Sequence, residues 1–286
     1  MAAKDSGRRA MLGGGAAMLA AAPALPAAAQ GAGANTLQAI RDRGELRIGV
    51  APGEPWFFRD QRSNEWHGIG WGVGVALARE LGVRPVPVET TWGNAVAGLQ
   101  ANQFDVMFVL DATPQRALAI DFPSQPMFFY AQGLLVRPGL TIRTWEDANK
   151  PELRIGVVLG TSPDRDVTAR LPRAQIERFP SADETAAAFQ AGRVDAISLF
   201  HPALVMLRAR VRRGTVLLPE PFRAAATSAG VRREADKSWR DWLGLAMAHM
   251  YTTGETQKIY EDYLTFRGIE PGSAPPVTRE TWQNRG

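Results

Sequence analysis

Residues 105–130, DVMFVLDATPQRALAIDFPSQPMFFY, decide the fold of this chain. The stretch opens with an apolar run at residues 106–110 that has an aspartate on each side, which is typical of a buried strand in an α/β sheet. Thr113, Pro114 and Arg116 follow beyond the carboxyl end of that strand, where open α/β sheets bind their ligands. Because a guanidinium there can hold a carboxylate with two parallel hydrogen bonds, we predict that Arg116 belongs to a ligand site. The alternative interpretation is a surface salt bridge.

Strand and helix patterns alternate along the rest of the chain, which favours an α/β fold. Before the stretch, strands are predicted at residues 45–50 and 83–89, and helices at residues 37–43, 72–81 and 94–102. After it, strands are predicted at residues 153–159, 176–179 and 194–199, and helices at residues 163–171, 182–191 and 202–211. Two similar halves joined near residues 135–138, with helices from residue 237 onward returning to the first half, predict two lobes with a ligand cleft between them.

The first 29 residues are predicted to be a signal peptide rather than part of the fold. Arg8 and Arg9 precede an uncharged, alanine-rich stretch at residues 10–29, whose small-residue end fits cleavage before Gln30. The arginine pair fits a twin-arginine signal or a Sec signal, and both alternatives remain open. We therefore expect an exported, periplasmic protein that is soluble after cleavage.

The composition disfavours several kinds of site. The chain has no cysteine, so no disulfide supports the fold, no lipid-bearing cysteine follows the signal, and a metal would need histidine and carboxylate ligands. His67, His201 and His249 have no metal-ligand spacing, and no cofactor is expected. The net charge of +4 falls to +2 without the signal, which carries three basic residues and one acidic residue. The arginines are scattered instead of sharing one face with aromatic residues, so no nucleic-acid binding is expected.

The sequence resembles the family 3 extracellular solute-binding proteins, the periplasmic amino-acid receptors of ABC importers. The likeness runs through almost the whole chain after the signal, and the order and spacing of its segments make it specific. The matching segments are Gly44-x-Leu46-x-Ile48-Gly49-Val50, residues 92–104, Thr113-Pro114-x-Arg116, Gly192-Arg193-Val194-Asp195-Ala196, and Gly254 with Ile259 and Tyr263.

The resemblance implies a two-lobe fold of type II, with a mixed five-stranded sheet flanked by helices in each lobe and two hinge strands between the lobes. On this basis, residues 30–136 form the first part of lobe 1, residues 137–228 form lobe 2, and residues 229–286 return to lobe 1 and end in a tail. The implied ligand is an amino acid or a related small carboxylate, buried between the lobes and passed to an ABC permease in the inner membrane. A monomer is expected.

The resemblance also implies roles for particular residues. Arg116 falls where the family's arginine holds the α-carboxylate of the ligand. Thr161 and Ser162 fall in the second-lobe Gly-Thr-Thr/Ser motif, which donates hydrogen bonds to the same group. Thr161 could otherwise be the N-cap of the helix that follows, and the two roles are compatible.

The chain departs from the family at the ammonium site. Five residues after Asp195, where the amino-acid binders carry an aspartate that takes the α-ammonium group, the chain has Phe200. Five residues before Arg116, where serine or threonine is usual, it has Asp111. The first-lobe motif Gly-Phe-Asp-x-Asp is replaced by residues 68–72, GIGWG, which lack both acids.

Two interpretations of the ligand follow from these departures. Asp111, or Glu54 at the loop position of the family's stacking aromatic residue, replaces the lost ammonium partner, and the ligand is an amino acid or a cationic amine. Alternatively, the ligand has no ammonium group, and an apolar wall for an organic acid is formed by Phe200, Trp56 and Trp71. Asp111 could also form a salt bridge to Arg116 in an open state.

Two other functions compete with a transport receptor. Cyclohexadienyl dehydratases resemble the same family and would need a general acid in the cleft, for which Glu54 and Asp111 are the candidates. The sensor lobe of a receptor kinase or a lytic transglycosylase is the second rival, and the expectation that the chain ends at Gly286 counts against it. We expect a binding protein without catalytic activity.

Overall fold

The computed structural model describes residues 35–221 and 224–283, so the predicted signal peptide lies outside the described residues. The strands are β1 (Glu45–Val50), β2 (Phe58–Arg59), β3 (Trp66–His67), β4 (Arg84–Glu89), β5 (Met107–Phe108), β6 (Phe128–Val136), β7 (Arg154–Val158), β8 (Gln175–Phe179), β9 (Ala196–Phe200), β10 (Thr215–Leu217), β11 (Ala224–Thr227) and β12 (Ala229–Gly230). The helices are α1 (Thr36–Arg43), α2 (Ile69–Glu80), α3 (Ala95–Gln100), α4 (Pro114–Ala117), α5 (Trp145–Ala148), α6 (Ser162–Arg170), α7 (Ala182–Gln190), α8 (His201–Val211), α9 (Ser238–Thr252), α10 (Glu255–Phe266) and α11 (Glu280–Gln283). The alternation confirms the predicted α/β class.

The first sheet is mixed and has the order β4-β1-β5-β12 within the described residues. Strand β1 pairs in parallel with β4, Ile48 of β1 bridges to Val106 next to β5, and β5 pairs antiparallel with β12. Leu46, Ile48 and Val50 of β1 are buried, because alternate side chains point to the same face of a strand. The resemblance implied five strands in this sheet, whereas the structure shows four in the described part of the chain.

The second sheet has the order β10-β6-β9-β7-β8, and β11 pairs with the first half of β6. Strand β7 is parallel to β8 and β9, whereas β6 is antiparallel to β9, β10 and β11. Four of the five residues of β7 are buried, as expected for a central strand that is covered on both faces. This sheet is therefore mixed as well.

The two sheets begin with the same pentapeptide, Leu-Arg-Ile-Gly-Val, in β1 and at residues 153–157. In each copy an aspartate at the start of a later strand segment accepts hydrogen bonds from the backbone and the guanidinium of the arginine. Asp105 is bound in this way by Arg47, and Asp195 by Arg154. The same local chemistry therefore ties the amino-terminal end of β1 to Asp105 and that of β7 to Asp195.

Two strands connect the sheets. Residues 128–131 of β6 pair with β11, and residues 132–136 pair with β9. Strand β11 leads into β12, which pairs with β5 in the first sheet. The sequence placed residues 132–136 in lobe 1, but their pairing with β9 and β10 joins them to the second sheet. The lobe boundaries themselves stay a prediction.

The predicted strand at residues 106–110 is shorter in the structure. It is reduced to β5 because Val109 has a φ of 59°, in the left-handed region that β-branched residues avoid. The reversal turns the chain out of the sheet immediately before Asp111, while Val109 and Leu110 stay buried. Backbone strain of this kind persists where the surrounding structure imposes it, and it is frequent at ligand sites.

None of the helices in the described residues is long and apolar enough to cross a membrane.

Candidate functional site

A cavity with an interior volume of about 50 Å³ lies between the two sheets. We call it the cleft cavity. Its walls come from the loops and strand ends of both halves, as expected for ligand sites at the carboxyl edges of α/β sheets. The lining residues are Gly53, Glu54, Trp56, Trp92, Val109, Asp111, Arg116, Tyr130, Val158, Thr161, Ser162, Pro163, Ala182, Leu199, Phe200 and Ala203.

The structure brings seven of the nine predicted site residues into this lining. They are Glu54, Trp56, Asp111, Arg116, Thr161, Ser162 and Phe200. Thr113 lies beside the cavity and lines an adjoining open groove. Trp71 lines a separate surface groove.

Arg116 is positioned by helix α4, which begins with Thr113 as its N-cap and Pro114 at its first position. The Thr113 hydroxyl accepts a hydrogen bond from the Arg116 backbone N–H at 3.2 Å, so the role of Thr113 here is to fix the start of this helix. The Arg116 side chain is only 8% exposed. Its Nη1 donates to the Asp111 carbonyl oxygen at 3.0 Å, and its Nη2 donates across the cleft to the Gly160 carbonyl oxygen at 3.1 Å.

No carboxylate lies within 4.0 Å of the Arg116 guanidinium in the described residues, and its hydrogen bonds go to carbonyl groups. Burial lowers the pKa of Arg116 from its usual value, and the nearby positive charge of Arg165 lowers it further. The nearby negative charge of Asp111 offsets these effects only in part, so that the pKa of Arg116 stays lowered. A ligand carboxylate bonded directly to the guanidinium would stabilise this buried cation.

Arg165 is a site residue that the sequence reasoning missed. Its Nη1 donates to the same Gly160 carbonyl oxygen at 3.1 Å, and its Nη2 donates to Ser162 Oγ at 3.1 Å. It too has no carboxylate within 4.0 Å in the part of the chain that the structure describes. Its place in the first turn of the helix after Thr161 is visible in the sequence, but it does not fix the direction of the side chain. Two guanidinium groups therefore converge on one carbonyl at the cleft.

Thr161 is the N-cap of α6. Its hydroxyl accepts from the Asp164 backbone N–H at 3.3 Å and donates to the Val158 carbonyl at 2.7 Å. Asp164 in turn accepts from the Gly160 N–H at 3.1 Å. The loop before α6 is therefore held rigidly, and the start of the helix, whose free N–H groups favour anions, faces the cavity. The N-cap interpretation of Thr161 fits this geometry.

Asp111 also lines the cleft cavity. Its carboxylate accepts a hydrogen bond from the Tyr130 hydroxyl, while Arg116 binds only its backbone carbonyl. The salt bridge between Asp111 and Arg116 that the sequence suggested is not formed in this structure. Burial raises the pKa of Tyr130 well above its usual value, and the adjacent Asp111 charge adds to the effect, so Tyr130 stays a hydrogen-bond donor.

Phe200 stacks on Tyr130, with ring centroids 3.7 Å apart and an angle of 27° between the planes. The Trp56 ring also packs against Tyr130, at a centroid distance of 5.7 Å, and is itself buried. The aromatic ring of Phe200 therefore stands at the position in the second half where the family resemblance led us to look for an acidic residue.

Glu54 lies in the lining but its charge is balanced. Its carboxylate forms an ion pair with Arg267 at 2.9 Å and has a side chain only 11% exposed. The Tyr263 hydroxyl lies beside it; burial raises the pKa of Tyr263, and the negative charge of Glu54 raises it further. The ion pair joins two parts of the chain that are far apart in sequence, so sequence reasoning could not foresee it.

The structure corrects the proposed role of Trp71. This residue lies on α2, which begins at Ile69, three residues earlier than predicted, and it lines a separate surface groove with Trp66, Ile259 and Phe266. It cannot form part of an apolar wall around a ligand beside Arg116. In the described residues no cluster of three or more histidine, aspartate or glutamate side chains could hold a metal ion.

Comparison with known proteins supports these features. A family model described as bacterial extracellular solute-binding proteins, family 3, matches residues 46–266. The probable amino-acid ABC transporter periplasmic-binding protein y4tE of Sinorhizobium fredii is 30% identical over 187 residues, which cover 63% of this chain and 61% of that protein. The chain thus spans less than two thirds of that relative. The general L-amino acid-binding periplasmic protein AapJ of Rhizobium johnstonii is 27% identical over 250 residues, covering 82% of this chain and 72% of the relative.

A solved structure shows the same architecture. The ancestral amino acid-binding protein AncCDT-1, described as a precursor of cyclohexadienyl dehydratase, aligns with a TM-score of 0.72 and 29% identity over 80% of this chain and 99% of that one. The expected two-lobe periplasmic binding protein fold of type II is thereby confirmed. The chain belongs to the bacterial extracellular solute-binding proteins, family 3.

Proposed function

We propose that this protein is the periplasmic receptor of an ABC importer. It closes its two lobes over an amino acid or a related small carboxylate and presents the ligand to a permease in the inner membrane. In this proposal the protein is exported by the signal at residues 1–29 and acts as a monomer. Lobe 1 comprises residues 30–136 and residues 229–286, and lobe 2 comprises residues 137–228. Residues 132–136 of β6 pair with the second sheet although this division assigns them to lobe 1.

The unpaired Arg116 guanidinium is the observation that carries the proposal. It is buried, it bridges the cleft to Gly160, and its hydrogen-bond partners in the described residues are neutral carbonyl groups. A charge-assisted, two-pronged bond to a carboxylate is stronger than these bonds and compensates the buried charge. One relative is described as a probable amino-acid ABC transporter periplasmic-binding protein and the other as a general L-amino acid-binding periplasmic protein, which supports the same conclusion.

The strand connections support closure of the lobes. In the described residues, β11 pairs with β6 of the second sheet and leads into β12, which pairs with β5 of the first sheet. Neighbouring strands that cross between two sheets make a suitable hinge. The bond from Arg116 to Gly160 joins one lobe to the other. A ligand carboxylate bound at this place would contact both lobes and favour the closed form.

A dehydratase would need a proton donor in the cleft cavity. Glu54 is held as an ion pair by Arg267, and Asp111 accepts a hydrogen bond from Tyr130. Both acidic side chains are therefore already engaged by partners within the protein. We therefore propose binding without chemistry. A phenylpyruvate or phenylalanine product formed from prephenate or arogenate would overturn this part.

A thermal-shift screen of residues 30–286, refolded to remove any co-purified ligand, tests the proposal. The panel contains the twenty L-amino acids, small amines and small carboxylates. A ligand at one hundred times its Kd adds about 2.7 kcal/mol, which raises the midpoint by about 5 to 10 °C. Arg116→Ala should bind the same ligand at least about 30-fold more weakly, because truncation leaves the ligand carboxylate unpaired. No shift with any compound, or unchanged affinity in the variant, would refute the proposal.

A further inference from the structure

We propose that one end of the second sheet binds the surface of a membrane that contains anionic phospholipids. At this end β7 and β9 begin, whereas their other ends lead to Thr161 and Phe200, which line the cleft cavity. The two ends are about 13 Å apart, the length of β7 at 3.3 Å per residue, so the cleft stays accessible while the far end is occupied. We call this surface the basic end and define it by six arginines: Arg137, Arg154, Arg193, Arg208, Arg212 and Arg213.

Strand pairing brings these arginines together from separate parts of the sequence. Arg137 follows the last residue of β6, Arg193 lies three residues before β9, and Arg154 is the first residue of β7. The turn at residues 212–214 precedes β10, which pairs with the end of β6. The paired residues that align these strand ends are Val136 with Ala196, Val136 with Thr215, and Ile155 with Ala196.

Three arginines at the end of α8 carry charges without a counter-ion. Arg208, Arg212 and Arg213 are exposed, and in the described residues none of them has a carboxylate within 4.0 Å. Arg208 donates from Nε to the Gly214 carbonyl oxygen at 2.8 Å, which ties its side chain to the turn that holds the other two. Their guanidinium groups are therefore available to an external anion.

The other three arginines are only partly neutralised. Asp195 is shared between Arg137 at 3.0 Å and Arg154 at 2.9 Å, and Arg193 reaches Glu177 at 3.4 Å. The Asp195 side chain is only 6% exposed, so the arginines dominate what this surface presents to solvent. Six guanidinium groups and two carboxylates leave a net charge of +4 here, whereas the whole chain without the signal carries +2. Two charges just before β7 cancel each other: Lys150 and Glu152.

Arg212 occupies a backbone position that suits glycine. It is the C-cap of α8 and has a φ of 52°, in the left-handed region that is unfavourable for residues with a side chain. Helices commonly place glycine at such an end. The helix dipole accounts for a positive charge in the last turn, as at Arg208, but not for Arg213 beyond the helix. A strained residue that keeps its charge on the surface indicates a function for that charge.

An anionic lipid surface fits the basic end better than an acidic protein does. Specific protein interfaces rely on apolar and aromatic anchors. Lipid headgroups require only exposed positive charge, and a guanidinium can donate two parallel hydrogen bonds to one phosphate. The large apolar side chains that are exposed in the described residues belong to the first sheet's half of the chain or to the cleft end of β7: Val75, Leu118, Leu159, Leu245 and Phe266.

Co-sedimentation of residues 30–286 with lipid vesicles tests the inference. Vesicles of phosphatidylcholine with about 30% phosphatidylglycerol are compared with vesicles of phosphatidylcholine alone. We expect binding to the anionic vesicles only, and its loss when the salt concentration rises from about 50 to about 300 mM, because salt screens exposed charges. An arginine near an anionic surface contributes about 5-fold in affinity, so Arg208→Gln with Arg212→Gly and Arg213→Gln should bind about 100-fold more weakly.

A matched variant controls for net charge. Arg59→Gln with Arg79→Gln and Arg84→Gln removes the same charge from exposed arginines of the first half and should change vesicle affinity less than about 3-fold. Arg212→Gly alone removes the left-handed strain, so its thermal unfolding midpoint should not fall, although its vesicle affinity should drop about 5-fold. This variant separates loss of binding from loss of folding.

Four results would overturn the inference: no binding to the anionic vesicles at low salt, equal binding to both kinds of vesicle, an equal loss of affinity in the two triple variants, or unchanged affinity in Arg212→Gly. Soluble poly-L-glutamate that binds the protein as tightly as the anionic vesicles would make an acidic protein the partner and would overturn it as well. Inorganic phosphate that releases the protein at constant ionic strength would replace the membrane with an ion site. None of these measurements uses the ligand of the cleft, so the proposed receptor function stands or fails separately.

Discussion

Closure of the cleft can be tested at Gly160, where the two lobes approach through their backbones. Gly160 has a φ of +77°, and a Cβ built on it would lie 2.9 Å from the Cα atom of Gly93 in the first lobe. Gly192 has a similar φ of +74° but has nothing within 4 Å of its Cβ position. Alanine substitutions at these two glycines therefore separate the backbone cost of a side chain from the cost of its contact with the other lobe. Alanine at either position pays for the left-handed backbone, about 1–2 kcal/mol, and only alanine at Gly160 also meets the opposite lobe.

The steric contact with Gly93 determines how much ligand affinity Gly160→Ala should lose. Forcing a methyl group against packed atoms costs about 1–3 kcal/mol, and here the neighbouring atoms belong to the backbone, which cannot rotate away. The two lobes can avoid the clash by staying apart, so this cost should appear in ligand affinity and hardly in the stability of the ligand-free protein. Gly160→Ala should therefore bind the amino acid found in the screen about 5- to 150-fold more weakly than Gly192→Ala.

Titration calorimetry of the two variants, together with thermal unfolding without ligand, measures both quantities. The unfolding midpoints of Gly160→Ala and Gly192→Ala should fall by similar amounts, and only Gly160→Ala should lose affinity. Equal affinities would mean that Gly160 and Gly93 do not approach each other in the ligand-bound protein, and the closure argument would be refuted.

Two predictions concern stability. Asp195 accepts two guanidinium bonds and a backbone bond from Arg154, and these bonds lower the pKa of Asp195; Asp195→Asn should lose about 2 kcal/mol at pH 7. Because the pKa is lower in the folded state, that stabilisation is complete above the unfolded value near 3.9 and is lost as the pH falls through the folded value, so denaturation curves of variant and wild type should converge in acid. Arg267→Ala should lose about 2 kcal/mol by leaving Glu54 unpaired, and Glu54→Gln with Arg267→Ala should recover part of it; additive losses in urea unfolding would contradict the coupling.

Local patterns were sufficient to predict most of the fold. Strands β1 and β4 and helices α6 to α8 follow from hydrophobic periodicity and capping residues, which depend on neighbours in sequence. The end of β5 was misplaced because a positive φ at Val109 is imposed by tertiary packing that no propensity reveals. Trp71 was assigned to the ligand site because the sequence did not reveal that α2 begins at Ile69 and includes this residue.

Only the part of the site that depends on Arg116 could be predicted from the sequence. Arg116 lies on the short helix that comes next after β5, so its location near the sheet edge could be inferred from the chain alone. Arg165 could not, because the direction of a side chain in the first turn of a helix is fixed by the loop that holds the helix. The different surroundings of Glu54 and Asp111 come from Arg267 and Tyr130, which are distant in sequence.

Small-angle X-ray scattering of residues 30–286, with and without the amino acid that gives the largest thermal shift, tests the central claim most directly. If the protein is a receptor that closes over a ligand held by Arg116, the radius of gyration should fall on ligand addition in the wild type and should not change in Arg116→Ala at the same ligand concentration. A wild-type protein that binds the amino acid in solution without any decrease in radius would contradict closure of the two lobes as its mode of action.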